Sequence, residues 1–382
     1  MRQVFDGVFE GMTVLVTGHT GFKGSWLSIW LRELGAKVVG YSLEPPTDPS
    51  NFELCGLGAR IEHVHGDTRE LEPLLATLRT YRPDVVIHLA AQPIVLTAYR
   101  DPKLTIDTNV TGTVNVLEAI RRTSSVRALV AVTTDKVYED QGWFWGYREN
   151  DQLGGFDPYS ASKAMAELAV RSYRQSWQQR WMDAATEQCF SERTVGIATA
   201  RAGNVIGGGD FAKYRLVPDS MKALALGAPI EVRSPSSIRP WEHLLEPLSG
   251  YLWLAVSLLR DPDAFGEAWN FGPAERVPIT CEHIAEEAIR LWGSGSCKLG
   301  ERSTEGHEAS VLRVSWDKAA SRLGWGPTYT WKEALAETVE WWKAYQRQLG
   351  GSSPANMYDV CVAHIHQYVT RAQELGIRWA TG

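Results

Sequence analysis

A tyrosine and a lysine four residues apart, Tyr159 and Lys163, are the pair in this sequence best suited to moving a proton together with a hydride. On a helix, this spacing places both side chains on one face. A nearby ammonium lowers the pKa of a phenol, so Tyr159 can take a hydroxyl proton while a hydride leaves the same carbon. Tyr99 and Lys103 share the spacing, but Pro102 between them predicts a loop.

Three polar residues, Thr134, Asp135 and Lys136, follow the apolar run at residues 128–133. If that run is a buried parallel strand, they lie at the carboxyl edge of the sheet, where ligands bind in doubly wound folds. A threonine can orient a reacting hydroxyl, while a carboxyl and an amine can act as acid and base. The same residues also form ordinary turns, which leaves a purely structural role open.

A glycine-rich turn separates the first apolar run from the first helical stretch. Its residues are Gly18, His19, Thr20, Gly21, Phe22, Lys23 and Gly24. Glycines permit a tight turn and close approach of the backbone, so a pyrophosphate can lie against the helix N-terminus, where free N–H groups favour anions. This context predicts dinucleotide binding, with every residue of the turn except His19 as a cofactor contact. A plain strand-to-helix turn is the alternative.

Short apolar runs alternate with longer helical patterns through the first two hundred residues, as is typical of βαβ units. We predict strands at residues 13–17, 37–41, 61–65, 85–89, 128–133 and 195–201. We predict helices at residues 24–34, 71–81, 106–122 and 159–179. Because these strands are uniformly apolar, both of their faces are buried, and the predicted fold class is α/β, a doubly wound parallel sheet of Rossmann type.

The alternation breaks after Gly207, where glycine, proline and serine cluster. We predict a dinucleotide-binding domain at residues 1–203 and a smaller, mostly C-terminal substrate-binding lobe at residues 204–382, with some return of the chain to the first domain. The amphipathic tail beyond residue 350 predicts one more docked helix.

Composition favours a globular protein of the cytoplasm. The 382-residue chain is 44% hydrophobic, and its net charge of −6 argues against nucleic acid as a main partner. No apolar run reaches the roughly 20 residues that span a bilayer, so no membrane is expected. The five scattered cysteines predict a reducing compartment. We interpret the pairs His63/His65 and His364/His366 as strand or surface histidines, and we expect no metal.

The glycine spacing, G-x-x-G-x-x-G, resembles that of the extended short-chain dehydrogenases/reductases. Two further turns carry the resemblance. Asp67 and Thr68 follow the third strand, where this family holds the adenine of its cofactor. Ala90, Ala91 and Gln92 follow the fourth strand and match the turn that contacts cofactor and substrate, with Gln92 on the substrate side.

Three helical residues extend this resemblance. Asn109 matches the helix asparagine of the family, and Tyr159 and Lys163 match its catalytic pair, which also contacts the cofactor. One departure concerns the strand at residues 37–41. An acid at its end usually binds the adenosine ribose in NAD enzymes, but here Glu44 comes slightly late. The expectation of NAD, in preference to NADP, therefore rests on the resemblance.

Thr134, Asp135 and Lys136 resemble the triplet of the CDP-glucose branch of the nucleotide-sugar 4,6-dehydratases, whereas the dTDP-glucose branch carries Thr-Asp-Glu. The resemblance spans nearly the whole chain and is most specific at residues 16–26 and 200–210. It implies conversion of a nucleotide-diphosphate hexose, CDP-glucose in preference to others, to a 4-keto-6-deoxy sugar by means of NAD. It also implies a homodimer paired through the third and fourth predicted helices.

In that reaction Asp135 protonates the departing C6 hydroxyl, and Lys136 is the candidate base for the C5 proton. A nucleotide-sugar 4-epimerase is the main rival, since it shares the fold, the cofactor, Thr134, Tyr159 and Lys163. An epimerase has no use for an additional acid and base, which argues for the dehydratase. A catalytically silent NAD(P)-sensing protein is a third alternative, and the intact catalytic residues argue against it.

The second lobe is expected to supply most of the other substrate contacts. Asn204 resembles the asparagine that contacts the nucleotide-sugar, and His307 lies where related enzymes bind the nucleotide. Arg239 is the natural diphosphate ligand, because a guanidinium offers two parallel donors. Gln92 and Thr134 complete the predicted substrate set from the first domain. A surface or capping role is the alternative for the lobe residues.

Overall fold

The structure is a computed structural model and describes residues 1–177, 194–275, 277–300, 312–351 and 356–381. Its strands, numbered β1 to β11 along the chain, are Thr13–Thr17, Lys37–Ser42, Glu62–His65, Val85–His88, Ala128–Val132, Gly196–Ala202, Asn204–Ile206, Ile230–Val232, Trp241–His243, Ala268–Phe271 and Cys297–Leu299. Its α-helices, numbered α1 to α14, are Phe22–Glu33, Asn51–Leu54, Leu71–Tyr81, Val95–Arg100, Pro102–Ile106, Gly112–Arg121, Pro158–Trp177, Leu216–Ala225, Leu245–Arg260, Pro262–Phe265, Cys281–Trp292, Trp331–Leu349, Met357–Glu374 and Arg378–Thr381.

Seven of these strands form one parallel sheet in the order β10-β6-β5-β4-β1-β2-β3. The strand order reverses at β1, which has β2 on one side and β4 on the other, with Val14 opposite both Val38 and Val85. A crevice opens at such a reversal, outside the carboxyl ends of the strands, and it is where doubly wound folds bind ligands. The predicted fold class is confirmed.

Alternate residues of the central strands enter two different hydrophobic cores. On β1, Val14 and Val16 pack into the larger core, whereas Leu15 packs into the smaller one. On the neighbouring strand β4, Ile87 belongs to the larger core and Val86 to the smaller. A strand buried on both faces needs apolar residues at every position, which explains the uninterrupted apolar runs in the sequence.

The helical region before Arg121 differs from its prediction. Instead of one helix from residue 106, the chain forms α5, a π-helical turn at Asp107–Thr111 and then α6. The prediction of a loop around Pro102 was wrong, because Pro102 is the first residue of α5. Asp101 caps this helix, and its carboxylate accepts a hydrogen bond from the Leu104 N–H. Proline suits the first position of a helix, where its missing N–H would have had no partner.

The chain after residue 204 contributes to both parts of the molecule. Strand β10 pairs with β6 at the edge of the main sheet, and α9 packs against β5 and β6. The two short sheets, β7 with β9 and β8 with β11, lie outside the main sheet. The domain division between residues 203 and 204 stays a prediction. In the structure, β10 and α9 return to the sheet of the first domain.

The docked C-terminal helix is confirmed as α13, which packs against α1 and α12 and buries Cys361, Ile365 and Tyr368. Helices α11 and α12 each begin with a capping box, at Thr280 and Thr330. In the part of the chain that the structure describes, no helix is both long and apolar enough to cross a membrane.

Candidate active site

The glycine-rich turn between β1 and α1 is built by close backbone contacts. Gly18 has φ +73°, and a Cβ there would lie 2.7 Å from the Ala90 nitrogen. A Cβ on Gly24 would lie 2.1 Å from the Gly18 carbonyl oxygen. Gly21 caps α1, whose first N–H groups have no partner within the helix. This glycine cradle and its free donors fit the pyrophosphate of a dinucleotide.

The side chains of the turn brace the neighbouring strands. The Thr20 hydroxyl hydrogen-bonds the Ser42 hydroxyl at 2.8 Å and donates to the Leu43 carbonyl at 3.0 Å. The rings of His19 and His63 are joined by a hydrogen bond of 2.7 Å. Burial, with a smaller effect from His63, lowers the pKa of His19 to about 3, so its ring stays neutral. The cradle therefore offers backbone, not side chains, to a ligand.

Lys23 departs from this pattern. Its ammonium donates to the Tyr251 hydroxyl at 3.2 Å and lies within electrostatic reach of Asp135 and Glu242. Burial lowers the pKa of Lys23 to about 8, although Glu242 opposes that shift. The side chain of this predicted cofactor contact therefore extends towards the catalytic residues, and only its backbone remains at the phosphate cradle.

The turn after β3 carries the predicted adenine contacts. The carboxylate of Asp67 accepts hydrogen bonds from the backbone N–H and the Nε of Arg69, at 2.9 and 2.8 Å, and these bonds hold its pKa below the usual value. Thr68 is buried beside it. Glu44, beyond the end of β2, is 79% exposed and points its carboxylate towards His65.

The turn after β4 is fixed by Gln92. The side-chain amide of Gln92 donates to the Thr105 hydroxyl at 2.8 Å and accepts from the Ile94 N–H at 2.7 Å. Both ends of the amide are therefore used within the turn, although Gln92 also lines the cavity. The side chain of Gln92 therefore shapes the turn, and its role as a substrate contact stays a prediction.

Asn109, in the π-helical turn, joins this region to the catalytic helix α7. Its side chain accepts from the Gln92 N–H at 2.8 Å and donates to the Ser162 hydroxyl at 2.9 Å. Ser162 in turn donates to the Tyr159 carbonyl at 2.7 Å. Asn109 does not line the cavity but joins two of its walls, and its part in cofactor binding stays a prediction.

Tyr159 and Lys163 lie on α7, as predicted, with Asp157 accepting from the Tyr159 N–H at the start of the helix. Lys163 donates to the Val132 carbonyl at the end of β5, at 3.2 Å, and burial lowers its pKa to about 8. Burial raises the pKa of Tyr159 to about 12, against the opposing effect of a hydrogen bond with Thr134. The expected lowering of the phenol pKa was wrong, because loss of contact with water outweighs the favourable neighbours.

The residues at the end of β5 form a 3-10 turn that exposes two functional groups to the cavity. The Thr134 hydroxyl donates to one carboxyl oxygen of Asp135 at 3.0 Å. The other oxygen, Oδ2, is buried and has no hydrogen-bond partner within the described part of the chain. Burial raises the pKa of Asp135, although Lys136 opposes that shift. Asp135 is therefore suited to carry a proton, while Lys136 is only partly buried.

Two arginines from the later part of the chain approach these groups. Arg239 is buried, donates to the Ile238 carbonyl at 2.8 Å and acts electrostatically on Asp135. Arg215, which sequence reasoning missed, pairs with Asp210 at 2.8 Å and acts electrostatically on Tyr159. The only sequence signal for Arg215 was its position directly before Leu-Val-Pro at the start of α8.

One cavity of about 1900 Å³ opens at the carboxyl edge of the sheet. It brings together every predicted site residue except Asn109 and His307, and His307 lies outside the described residues. Across the described ranges, no group of three or more His, Cys, Asp or Glu side chains is placed to hold a metal ion.

A doubly wound parallel sheet, a glycine cradle on β1 and a Tyr/Lys pair on the helix after β5 define an extended short-chain dehydrogenase/reductase. The sequence profile of the GDP-mannose 4,6 dehydratase family matches residues 15–196. The chain is 44% identical to a CDP-glucose 4,6-dehydratase from Salmonella typhimurium, over 89% of this chain and 92% of that protein. The chain therefore belongs to the nucleotide-sugar 4,6-dehydratase family.

Solved structures agree with the fold. A dTDP-glucose 4,6-dehydratase from Bacillus anthracis in complex with NAD superposes with a TM-score of 0.70 at 24% identity, covering 87% of this chain and 97% of that one. A UDP-glucose 4-epimerase from Thermotoga maritima, solved with UDP-glucose, gives a TM-score of 0.72 at 19% identity over 87% and 99% of the two chains. Dehydratases and epimerases share this architecture, so the fold does not choose between them.

Proposed function

We propose that this protein is an NAD-dependent nucleotide-sugar 4,6-dehydratase that converts CDP-D-glucose to CDP-4-keto-6-deoxy-D-glucose and water. The observation that carries the proposal is the buried carboxyl of Asp135, which stands with Lys136 beside Thr134 and Tyr159. Oxidation of a hydroxyl needs only Thr134, Tyr159 and Lys163. An added acid and base are what the loss of water requires.

The chain prepares the C4 hydroxyl of the sugar for oxidation. Tyr159 takes the O4 proton as a phenolate and becomes a phenol, Thr134 holds the hydroxyl in place, and the ammonium of Lys163 stabilises the phenolate before the transfer. NAD, when bound, would supply the hydride chemistry that links C4 and C6. Because burial raises the pKa of Tyr159 to about 12, the phenolate that accepts this proton depends on stabilisation by Lys163 and Thr134.

Elimination uses the second pair of groups. The C4 ketone acidifies the C5 proton, Lys136 removes it, and Asp135 gives its proton to the departing C6 hydroxyl, which leaves as water. The raised pKa of Asp135 suits a group that must carry a proton near neutral pH. When the hydride enters C6, Lys136 returns a proton to C5.

The substrate class follows from the cationic wall of the cavity. Arg239 and Arg215 carry guanidinium groups suited to a diphosphate, and Asn204, at the start of β7, lines the same cavity. The choice of cytidine as the base rests on the Salmonella relative and on the Thr-Asp-Lys triplet that the sequence shares with the CDP-glucose branch. His307 stays a predicted nucleotide contact.

NAD as the cofactor is supported by the glycine cradle and by membership of the family. Gly18 and Gly24 allow the backbone of the turn to pack closely, because a Cβ at either position would meet neighbouring backbone atoms. Asp67 and Thr68 would hold the adenosine end, and Lys163 the nicotinamide ribose. The buried Ser42, in place of an acid at the end of β2, predicts a weakly held adenosine ribose.

We also propose a homodimer in the cytoplasm. Three apolar side chains on α5 and α7, Ile106, Met165 and Leu168, are 38, 44 and 52% exposed, on helices that pack against each other. An apolar surface of this kind is typical of a subunit interface. The described cysteines Cys55, Cys281, Cys297 and Cys361 are all free thiols, which fits a reducing compartment.

A panel of CDP-, dTDP-, GDP- and UDP-hexoses tests the assignment. We expect the purified enzyme with NAD to form a 4-keto-6-deoxy sugar from CDP-glucose faster than from the others, detected by the ultraviolet absorbance of the keto sugar in base. A C4 epimer as the product would instead support the epimerase. No product from any hexose would support the sensing protein.

A further inference from the structure

A buried ion pair lies directly behind the catalytic groups. Glu167 on α7 and Arg201 on β6 are joined by two parallel hydrogen bonds, from Nε at 2.9 Å and from Nη2 at 2.8 Å. Their side chains are only 4% and 3% exposed. Burying two charges costs as much as their attraction returns, and an apolar pair is often as stable, so stability alone does not account for this pair.

The Glu167 carboxylate also holds the strand that leads into the catalytic triplet. It accepts hydrogen bonds from the hydroxyls of Thr133, at 2.5 Å, and of Thr199, at 2.7 Å. Thr133 is the residue immediately before Thr134. Burial opposes ionisation of Glu167, but Arg201 and the two hydroxyls outweigh it, so the pKa of Glu167 lies below its ordinary value.

The Arg201 end of the pair holds the other side of the same turn. Its Nη1 donates to the Tyr138 hydroxyl at 2.8 Å, and Tyr138 donates to Asn270 on β10 at 2.7 Å. Tyr138 follows the triplet at residues 134–136 by two positions. The turn that carries the proposed acid and base is therefore tied to one ion pair on both sides.

The Glu167 end of the pair lies on α7, the helix that also carries Tyr159 and Lys163. Tyr159, Lys163 and Glu167 follow one another at intervals of four residues on α7, so they form one stripe. The titratable groups that interact electrostatically with Lys163 are Glu167 from its own helix, Lys23 from α1 and His88 from β4. Burial keeps the pKa of His88 at about 3, so His88 stays neutral. Glu167 is the neighbour that favours the charged form of Lys163, against burial and Lys23.

We propose that the Glu167–Arg201 ion pair is a positioning element for catalysis, which fixes the turn at residues 134–136 against α7 and keeps Lys163 charged during turnover. It acts through Thr133 and Tyr138 on the turn and through electrostatic attraction on Lys163. Neither member of the pair lines the cavity. The inference rests on the proposed dehydratase reaction, in which Lys163 assists Tyr159.

Glu167→Gln in the full-length enzyme tests the proposal. We expect kcat to fall by roughly 10- to 100-fold while the KM of the nucleotide sugar stays near the wild-type value, because the reacting groups lose their alignment without losing a substrate contact. We also expect the alkaline limb of the kcat profile to move to lower pH by roughly one unit, because Lys163 loses the charge that favours its ammonium.

Glu246→Gln is the matched control. Glu246 is equally buried and accepts hydrogen bonds on both oxygens, from the Thr328 and Tyr329 N–H groups and the Tyr368 hydroxyl, and none of these three donors lies on β5 or α7. We expect this variant to lower the melting temperature and to keep the wild-type alkaline limb. A Glu167→Gln enzyme with wild-type kcat and an unmoved limb, or the same shift in Glu246→Gln, would overturn the positioning role.

Thr133→Val keeps the experiment decisive if Glu167→Gln does not fold. It leaves the ion pair intact and removes only the hydroxyl that holds the turn, so we expect kcat to fall roughly 10-fold with an unmoved alkaline limb. Wild-type kcat in this variant would count against the proposal. The wild-type enzyme is assayed first: if it forms no keto sugar, the proposed function fails, whereas an active wild type with unaffected variants rejects the positioning role alone.

Discussion

The glycine-rich turn at residues 18–24, the proposed cofactor site, and the proposed catalytic edge formed by residues 134–136, Tyr159 and Lys163 line the same cavity by opposite means. The turn presents backbone, since a Cβ on Gly24 would meet the Gly18 carbonyl at 2.1 Å. The catalytic edge presents side chains whose burial shifts their pKa values, with Tyr159 raised to about 12 and Lys163 lowered to about 8. Substitutions in the turn should therefore act on affinity, and substitutions at the edge on rate.

The largest effect is expected at the edge, from Lys136→Met. C4 oxidation should continue and elimination should stop, because the two steps use different groups, and kcat should fall by roughly 100- to 10,000-fold. Reduced nicotinamide should then accumulate on the enzyme and be visible by its absorbance after rapid mixing. Asp135→Asn should behave similarly, having lost the acid for the C6 hydroxyl.

Lys37→Met, at the exposed start of β2, is the matched control and should keep the wild-type rate. A Lys136→Met enzyme that never reduces its nicotinamide would assign Lys136 to the first step. One that releases product normally would remove it from the reaction.

Lys163→Ala should affect both regions, because one ammonium serves Tyr159 and the cofactor ribose. We expect kcat to fall roughly 100-fold and the NAD content of the purified enzyme to drop. In the wild type, turnover should decline as the pH rises through about 8, since burial sets the pKa of Lys163 there and the charged form is the active one. Normal NAD content with a normal rate would place Lys163 outside the site.

Arg239→Ala should raise KM far more than it lowers kcat, since a diphosphate contact acts equally in the ground and transition states. A charge-assisted hydrogen bond of this kind corresponds to about 10- to 150-fold in KM. Steady-state kinetics with the nucleotide sugar would measure both constants. A wild-type KM would show that the diphosphate binds elsewhere.

The smallest effect is expected from Gly18→Ala in the turn. Its Cβ would meet the Ala90 nitrogen at 2.7 Å, so the cradle must shift, and we expect the dissociation constant of NAD to rise about 10-fold with kcat at saturating NAD little changed. Gly56→Ala is the matched control, because φ is +58° there and nothing lies within 4 Å. Equal NAD affinity in both variants would show that the glycine-rich turn does not bind NAD.

The sheet could be read from the sequence because its central strands are mostly apolar, with few polar residues such as His88 and Arg201. Residues 13–17 and 71–81 were predicted at their observed bounds, and the other predicted strands within one residue at each end, whereas the helix predicted at residues 106–122 is divided between α5, the π-helical turn and α6. Strand β10 was not predicted, because Ala268–Phe271 is a short run without a preceding βα rhythm. Pro102 was misread, since proline begins a helix as readily as it ends one.

Side-chain direction was harder to predict than position. The Tyr/Lys spacing placed Tyr159 and Lys163 on one face of α7, but spacing carries no information on burial, which reversed the expected pKa of the phenol. Lys23 reaches Tyr251, a residue 228 positions away, and no local pattern predicts such a contact. The partners of Gln92 are nearer in sequence, yet they depend on the tertiary path of the turn.

The central claim is that the acid and base at the edge turn an oxidation into a dehydration with internal return of the hydride. The most direct test follows deuterium from C4 of CDP-glucose into the product by mass spectrometry and NMR. We expect the label at C6, and reaction of unlabelled substrate in D2O to place solvent deuterium at C5. A label found again at C4, or lost to solvent, would contradict the dehydratase assignment.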